Sequence, residues 1–164
     1  MEHTKTKRIL LVCTGNICRS PLAAALLQRA LAQRGIDGLD VASAGTGAWD
    51  GAPVSEGAYL VGLERGLDLS AHRARLLTRE LVEEVDLILT MARHHRARVD
   101  ELGGESHVFV LGEYAGREGD AAEVSDPFGG DLEVYRDTCV ELEALIDTAV
   151  ERIVKEFASG GNQR

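Results

Sequence analysis

Hydrophobic and polar positions divide the chain into short apolar runs separated by longer segments with helical spacing. The first run, Arg8 to Cys13, is continuous and rich in branched side chains, which is typical of a strand buried on both faces of a parallel sheet. Similar runs predict three further strands at 40–44, 85–90 and 107–111. Short strands interleaved with helical segments favour an α/β fold, with an open, mostly parallel four-stranded sheet that carries helices on both faces.

Apolar residues at helical spacing predict helices between and after these strands. Ser20 followed by Pro21 is the pairing expected of an N-cap and a first helical residue, so we expect the first helix to begin there. The last helix is expected to be the longest, with an apolar stripe that runs from Val134 to Phe157. The helices predicted after the first are 55–66, 78–84, 93–102 and 131–157.

A chain of 164 residues fits one compact domain. We expect this domain to span 8–158, after a disordered segment at 1–7 and before a flexible tail at 159–164. Two stretches, 45–53 and 113–130, are poor in regular signals. Loops this long in a compact domain are often functional, which directs attention to both.

Charge and cysteine content narrow the class of protein. A formal net charge of −9 argues against a broad surface for nucleic acid or anionic lipid. The apolar run after the polar first eight residues is too short for a signal peptide or a membrane span. Three cysteines do not form a disulfide framework of the secreted type. We therefore expect a soluble cytoplasmic protein, a monomer or weak dimer, with reduced thiols.

The loop from Cys13 to Ser20 carries the clearest chemical signal. It lies between the first strand and the first helix, where open parallel sheets bind ligands and where a helix N-terminus favours an anion. Gly15 and Asn16 tolerate the left-handed backbone that an anion-binding turn needs. The Cys-x5-Arg spacing lets Cys13 place its sulfur behind a phosphorus atom while Arg19 grips two oxygens. Inward N–H groups and the guanidinium would stabilise a thiolate nucleophile.

The segment Val12-Cys-Thr-Gly-Asn-Ile-Cys-Arg-Ser-Pro21 resembles the signature of the low-molecular-weight protein tyrosine phosphatases. The similarity extends over nearly the whole chain. It implies a four-stranded parallel sheet, hydrolysis of phosphotyrosine on a phosphoprotein through a cysteinyl-phosphate intermediate, and no metal or other cofactor. Inorganic phosphate would be the product. The loop residues expected to bind the phosphoryl group, besides Cys13 and Arg19, are Thr14, Gly15, Asn16, Ile17, Cys18 and Ser20.

A proton donor should stand opposite the thiolate, because departure of a phenoxide or alkoxide from phosphorus is helped by a proton. Asp126 is our candidate, since Pro127 biases it toward an extended conformation at the end of an irregular stretch. The family's general acid occupies the equivalent Asp-Pro pair. The resemblance also implies that Ser43 and His72 join Asn16 in hydrogen bonds that hold the loop.

The resemblance further implies an aromatic rim for the substrate, formed by Trp49 and Phe128. Many members have two adjacent aromatic residues after the Asp-Pro pair, whereas Gly129 follows Phe128 here. Cys18 is close enough in sequence to form a disulfide with Cys13 under oxidation, which predicts redox-sensitive activity. Loss of activity with peroxide should then become irreversible in Cys18→Ser. Cys139 is expected only to pack against the last helix's neighbours.

Three other functions remain open. Protein-arginine phosphatases share the fold and loop, and the segment Asp126 to Gly130 resembles theirs, but that branch commonly has Thr in place of Ile17. Since a branched apolar residue suits a phenol ring, we favour phosphotyrosine. An arsenate reductase needs a cysteine relay, which Cys139 alone does not complete. A phosphate-binding module without turnover would not need both Cys13 and Asp126.

Overall fold

A computed structural model of the protein describes residues 6–158 and shows four parallel strands in one sheet. The strands are β1 (Lys7–Cys13), β2 (Leu39–Gly45), β3 (Leu87–Thr90) and β4 (Val108–Val110), in the order β2-β1-β3-β4. Register is set by pairs such as Ile9 with Val41 and with Leu87. The α/β fold predicted from the alternation of strands and helices is confirmed.

Six α-helices connect or cover these strands in the described part of the chain. Their bounds are α1 (Arg19–Gln33), α2 (Glu56–Glu64), α3 (Arg79–Glu84), α4 (Arg93–Glu101), α5 (Leu111–Tyr114) and α6 (Leu132–Ile153). A 3₁₀ turn at Gly119–Ala122 and a π turn at Val154–Ala158 complete the regular structure. None of the helices within residues 6–158 has the length and apolar character needed to cross a membrane.

Strand β1 lies at the centre because its side chains supply both halves of the core. Ile9 and Leu11 point into the layer formed with α1, α2 and α6, whereas Leu10 and Val12 point into the layer formed with α3 and α4. All four are fully buried. Alternate strand residues face opposite sides of a sheet, so a strand covered on both faces must be apolar throughout.

The first helix begins earlier than the sequence suggested. Its N-cap is Cys18, which makes no side-chain capping bond, and Arg19 is the first helical residue. Ser20 is therefore not the N-cap; its hydroxyl bonds to Cys13 and Asn16 instead. Pro21 still lies in the first turn, where a missing backbone N–H removes no intrahelical bond.

Other departures concern the ends of elements and one irregular stretch. Strand β1 begins at Lys7, a residue within the segment 1–7 predicted to be disordered, and β4 ends before Leu111. The stretch at 113–130 contains the end of α5 and the 3₁₀ turn. The remaining leader at 1–5 and the predicted tail at 159–164 lie outside the described residues.

The strand order creates a crevice at the carboxyl ends of β1 and β3. From β1 the chain proceeds to β2 on one side, then crosses to β3 on the other, so the loops after β1 and β3 diverge. The amide of Thr46 donates to the Cys13 carbonyl at 2.9 Å, and the amide of Met91 donates to the Val12 carbonyl at 3.0 Å. These bonds fix both flanking loops against the end of β1.

Candidate active site

Asn16 organises the loop between β1 and α1. Its backbone has a φ of 58°, which turns the chain, and its side chain is fully buried. Its Nδ2 donates to Ser20 Oγ at 2.8 Å and to Ser43 Oγ at 2.9 Å. Its Oδ1 accepts the Arg75 amide at 2.9 Å. One side chain thus ties the loop to β2 and to the segment after α2.

His72 secures the same turn through the backbone. Its Nε2 donates to the Asn16 carbonyl oxygen over 2.7 Å. Burial lowers the pKa of His72, an effect that the hydrogen bond to Asn16 opposes and that the nearby cations Arg73 and Arg75 reinforce. Asn16, Ser43 and His72 therefore form the connected set that the family resemblance implied.

Cys13 lies at the end of β1 with its sulfur almost fully buried. Its Sγ is 3.0 Å from Ser20 Oγ. Because Asn16 Nδ2 donates to that same oxygen, the Ser20 proton is free to point toward the sulfur. The Ser20 hydroxyl and the N-terminal end of α1 thus both lie beside this sulfur.

Arg19 fills the other side of the loop and is only 4 % exposed. One terminal nitrogen donates to the Val124 carbonyl at 2.9 Å, and the other lies 3.6 Å from an Asp126 carboxylate oxygen. Its Nε is buried with no hydrogen-bond partner within the described residues. A planar guanidinium with an unsatisfied N–H suits an oxyanion that accepts two parallel bonds.

Asp126 stands across a cavity from the sulfur. The cavity has a volume of about 240 Å³ and is lined by Cys13, Thr14, Gly15, Ile17, Cys18, Arg19, Asp126 and Phe128. The Asp126 side chain is about half exposed, and its Oδ1 accepts the Phe128 amide at 3.1 Å. A larger cavity, about 440 Å³, lies behind the loop beside His72 and is lined by neither Cys13 nor Asp126.

Comparison with known proteins agrees with this geometry. The family model described as low molecular weight phosphotyrosine protein phosphatase matches residues 8–159. The chain belongs to this family. Solved structures include a YwlE arginine phosphatase mutant with a phosphorylated active-site serine, which aligns with a TM-score of 0.84 and 34% identity over 93% of this chain and 98% of that one.

Curated relatives carry two kinds of name. A protein-arginine-phosphatase of Geobacillus stearothermophilus is 40% identical over 152 residues, which cover 91% of this chain and 97% of the relative. The low molecular weight protein-tyrosine-phosphatase Wzb of Escherichia coli K12 is 36% identical over 154 residues, which cover 94% and 95%. Membership of the family is therefore clear, while the phosphorylated residue differs between relatives.

The rim that this phosphatase family member presents is only partly as expected. Phe128 is 65% exposed and lines the cavity, together with the half-buried Ile17. Trp49 is 84% exposed but is not among the residues that line the cavity. Neither aromatic side chain is packed into the core, and only Phe128 lines the cavity.

Cys18 and Cys139 are buried free thiols. The Cys18 sulfur lies 3.2 Å from Ser55 Oγ and 3.4 Å from the Tyr135 hydroxyl. Burial raises the pKa of Cys18 and raises that of Tyr135 to about 12. Cys18 is thus a protonated thiol at neutral pH, and its disulfide with Cys13 stays a prediction.

Sequence reasoning missed several residues that complete the site. Arg75, Val124 and Tyr135 contact the loop from distant segments, and two of these contacts use backbone atoms, which leave no side-chain signal. His95 was also missed, although its ring bonds to Thr14. A signal did exist for His95: it is the third residue of a helix that directly follows a buried strand.

Proposed function

We propose that the chain is a phosphotyrosine protein phosphatase that forms a cysteinyl-phosphate intermediate on Cys13. The observation that carries this proposal is the single cavity onto which Cys13, Arg19 and Asp126 all face. It contains a nucleophile, an oxyanion clamp and a proton donor within one small volume. A phosphoprotein is the substrate and inorganic phosphate the product.

In the first step the Cys13 sulfur attacks phosphorus and forms an S–P bond while the P–O bond to the tyrosine breaks. Arg19 and the loop amides hold the non-bridging oxygens and offset the charge that develops on them. Asp126, in its protonated form, gives its proton to the departing phenolic oxygen. The products of this step are tyrosine, the cysteinyl phosphate and the Asp126 carboxylate.

In the second step water attacks the cysteinyl phosphate. The Asp126 carboxylate takes a proton from the water, an O–P bond forms, and the S–P bond breaks to release phosphate. The Ser20 hydroxyl, whose oxygen is 3.0 Å from the sulfur, donates a hydrogen bond to the departing thiolate and keeps its proton. Both steps balance without a metal or a redox cofactor.

Phosphotyrosine is preferred because Ile17, a branched apolar side chain, and Phe128 line the cavity. Two flat or apolar walls suit a phenyl ring, which gains free energy from burial of its faces. Phosphoarginine is the second candidate, since relatives named protein-arginine phosphatases match over nearly the whole chain. A guanidinium group would need polar partners that Ile17 does not supply.

Arsenate reduction is less well supported. Cys139 is fully buried within the regular helix α6, so it is poorly placed to relay a disulfide to solvent. We also propose a cytoplasmic location, because a thiolate nucleophile requires a reducing compartment. A monomer or weak dimer stays a prediction.

The substrate can be decided by kcat/KM for matched phosphotyrosine and phosphoarginine peptides. We expect wild type to favour phosphotyrosine and Ile17→Thr to shift the ratio toward phosphoarginine. Asp126→Ala should slow tyrosine release by roughly 10²–10⁴-fold. Cys13→Ser should turn over neither peptide, because it lacks the sulfur nucleophile. Preferential hydrolysis of phosphoarginine by wild type would reverse the substrate assignment, and undiminished turnover by Cys13→Ser would reject the mechanism.

A further inference from the structure

A fully buried histidine on α4, the helix that follows β3, contacts the phosphate-binding loop. His95 is the third residue of α4, which follows β3 after the short link from Met91. Its Nε2 lies 2.8 Å from Thr14 Oγ1. The proposed chemical steps use neither side chain, so this contact has no role in them.

The hydrogen bonds around His95 fix which nitrogen carries the proton. The backbone amide of Ala92 donates to Nδ1 at 3.1 Å. An amide N–H can only donate, so Nδ1 must be the unprotonated nitrogen, and the proton of the neutral ring is on Nε2. Nε2–H therefore donates to the Thr14 hydroxyl oxygen. Burial, His94 and Arg19 lower the pKa of His95 to about 3, which keeps the ring neutral at physiological pH.

The same arrangement determines the direction of the Thr14 hydroxyl proton. Because Nε2–H already points at Oγ1, the Thr14 O–H cannot donate back to the ring. Within residues 6–158, Thr14 Oγ1 makes no other hydrogen bond. Thr14 is exposed and lines the cavity that also contains Cys13 and Arg19. Its donor is therefore available to a molecule that enters this cavity.

Helix capping alone does not explain a histidine at this position. The third helical residue commonly accepts the N-cap amide, and Glu or Gln usually does so. A Glu would satisfy Ala92 and suit the helix dipole, but it would add a negative charge near the phosphate loop and could not donate to Thr14. His95 instead accepts on one side and donates on the other.

We propose that His95 is a positioning residue that directs the Thr14 hydroxyl to donate a hydrogen bond to an oxygen of the bound phosphoryl group. This inference rests on the proposed function, because it assigns the cavity to a phosphoryl group. It adds a side-chain donor to the loop amides and Arg19. Thr14 contacts the ligand, whereas His95 acts only through Thr14.

The test measures the dissociation constant of inorganic phosphate by calorimetry, which does not require turnover. Thr14→Val should weaken phosphate binding about tenfold, the fold-change typical of losing one hydrogen bond to a charged group, while Thr14→Ser should remain close to wild type. His95→Met, which cannot donate and accepts only weakly through its sulfur, should weaken binding by a similar factor. His95→Gln, which can do both, should restore most of the affinity.

The double variant Thr14→Val/His95→Met separates positioning from a general structural effect. If His95 acts through Thr14, the double variant binds phosphate no more weakly than Thr14→Val alone. Equal losses from His95→Met in both backgrounds would overturn the inference, as would wild-type affinity in Thr14→Val. Thermal unfolding identifies variants that fail to fold. If His95→Met fails to fold, the comparison of Thr14→Val with Thr14→Ser still tests the Thr14 donor.

Turnover by the same proteins distinguishes this inference from the proposed function. If wild type binds phosphate but hydrolyses no phosphopeptide, the proposed function fails while the phosphate measurements still test the Thr14 donor. If wild type hydrolyses phosphopeptides and Thr14→Val matches it in both phosphate affinity and kcat/KM, only the His95 inference fails.

Discussion

Asn16 is the one non-glycine residue with a positive φ within residues 6–158. Its side chain makes three hydrogen bonds that hold this turn in place, to Ser20, Ser43 and the Arg75 amide. Backbone strain at a non-glycine residue persists only where surrounding contacts compensate for it. The loop is thus held in its binding shape before any ligand arrives, and catalysis depends on this preorganisation.

Substituting Asn16 can separate backbone strain from side-chain bonding. Asn16→Gly keeps the turn accessible but loses the three side-chain bonds, whereas Asn16→Ala loses the bonds and retains the strain. We expect Asn16→Ala to be less stable than Asn16→Gly by about 1 kcal/mol. Both should lose most activity, because Ser20 and Ser43 lose their donor. Chemical denaturation and kcat/KM check this, and an Ala variant as stable as the Gly variant would contradict it.

Site residues that belong to a short local sequence pattern were predictable from the sequence. The Cys-x5-Arg spacing and the Asp126-Pro127 pair brought the three central groups to notice, and the structure places them around one cavity. His95 and Arg75 were not predictable, because their partners in the loop are about 60 to 80 residues away in sequence. Contacts of that range depend on sheet order, which local periodicity does not specify.

At the scale of elements, the end of β2 sets how closely the phosphate-binding loop can approach the sheet. A Cβ at Gly45 would lie 2.4 Å from the Thr14 carbonyl oxygen and 2.9 Å from the Asn16 amide nitrogen. Both are backbone atoms, so they cannot move aside without shifting the loop. Only glycine permits the observed approach of β2 to the loop.

Gly45→Ala should therefore displace the loop and reduce activity more than stability. Since displacements of about 1 Å at a reacting centre can cost on the order of 10²-fold, we expect kcat/KM to fall by at least tenfold. Gly47→Ala is the matched control, because its Cβ would meet Thr14 Cγ2 at an ordinary 3.8 Å. Similar kinetics for the two variants would show that the close approach at Gly45 has no effect on the site.

Element boundaries show where local sequence signals end. Helix α4 was predicted from Arg93 and begins there, whereas α1 begins at Arg19 rather than after Ser20. The Ser-Pro pair is a common helix start, but here the Ser20 hydroxyl bonds to Cys13 and Asn16. A chemical requirement of the site replaced the capping role that the local pattern suggested.

At the scale of the whole molecule, the half-buried His72 and the fully buried His95 link the site to pH-dependent stability. Burial lowers the pKa of His72, and it lowers that of His95 to about 3. An unfolded histidine has a pKa near 6.5, so the unfolded chain binds more protons below that pH. These groups contribute their full stability above about pH 6.5 and lose it as the pH falls toward their folded pKa.

We expect the free energy of unfolding of wild type to decrease between pH 6.5 and 5, by up to about 1.4 kcal/mol per pH unit from His95 alone. This range lies above the usual titration of most carboxylates. His95→Gln should reduce the slope, because it removes one of the two groups. Urea denaturation across this range provides the measurement. An equal slope in wild type and His95→Gln would show that His95 is not buried as a neutral ring.

The overall architecture was the most predictable level. A strand that is apolar at every position must be covered on both faces, and the alternation of such strands with helices leaves few topologies. Strand order was harder to predict, because β1 and β3 are neighbours in the sheet although β2 lies between them in sequence. That pairing brings the link after β3, and with it His95, against the phosphate-binding loop.

The most direct test of the account is rapid quenching of wild type with a phosphotyrosine peptide, followed by mass spectrometry of the peptide that contains Cys13. The account predicts a transient phosphoryl group on the Cys13 sulfur that forms at least as fast as phosphate is released. Release of phosphate without a phosphorylated Cys13 on that timescale, or a phosphoryl group carried by a different residue, would contradict it.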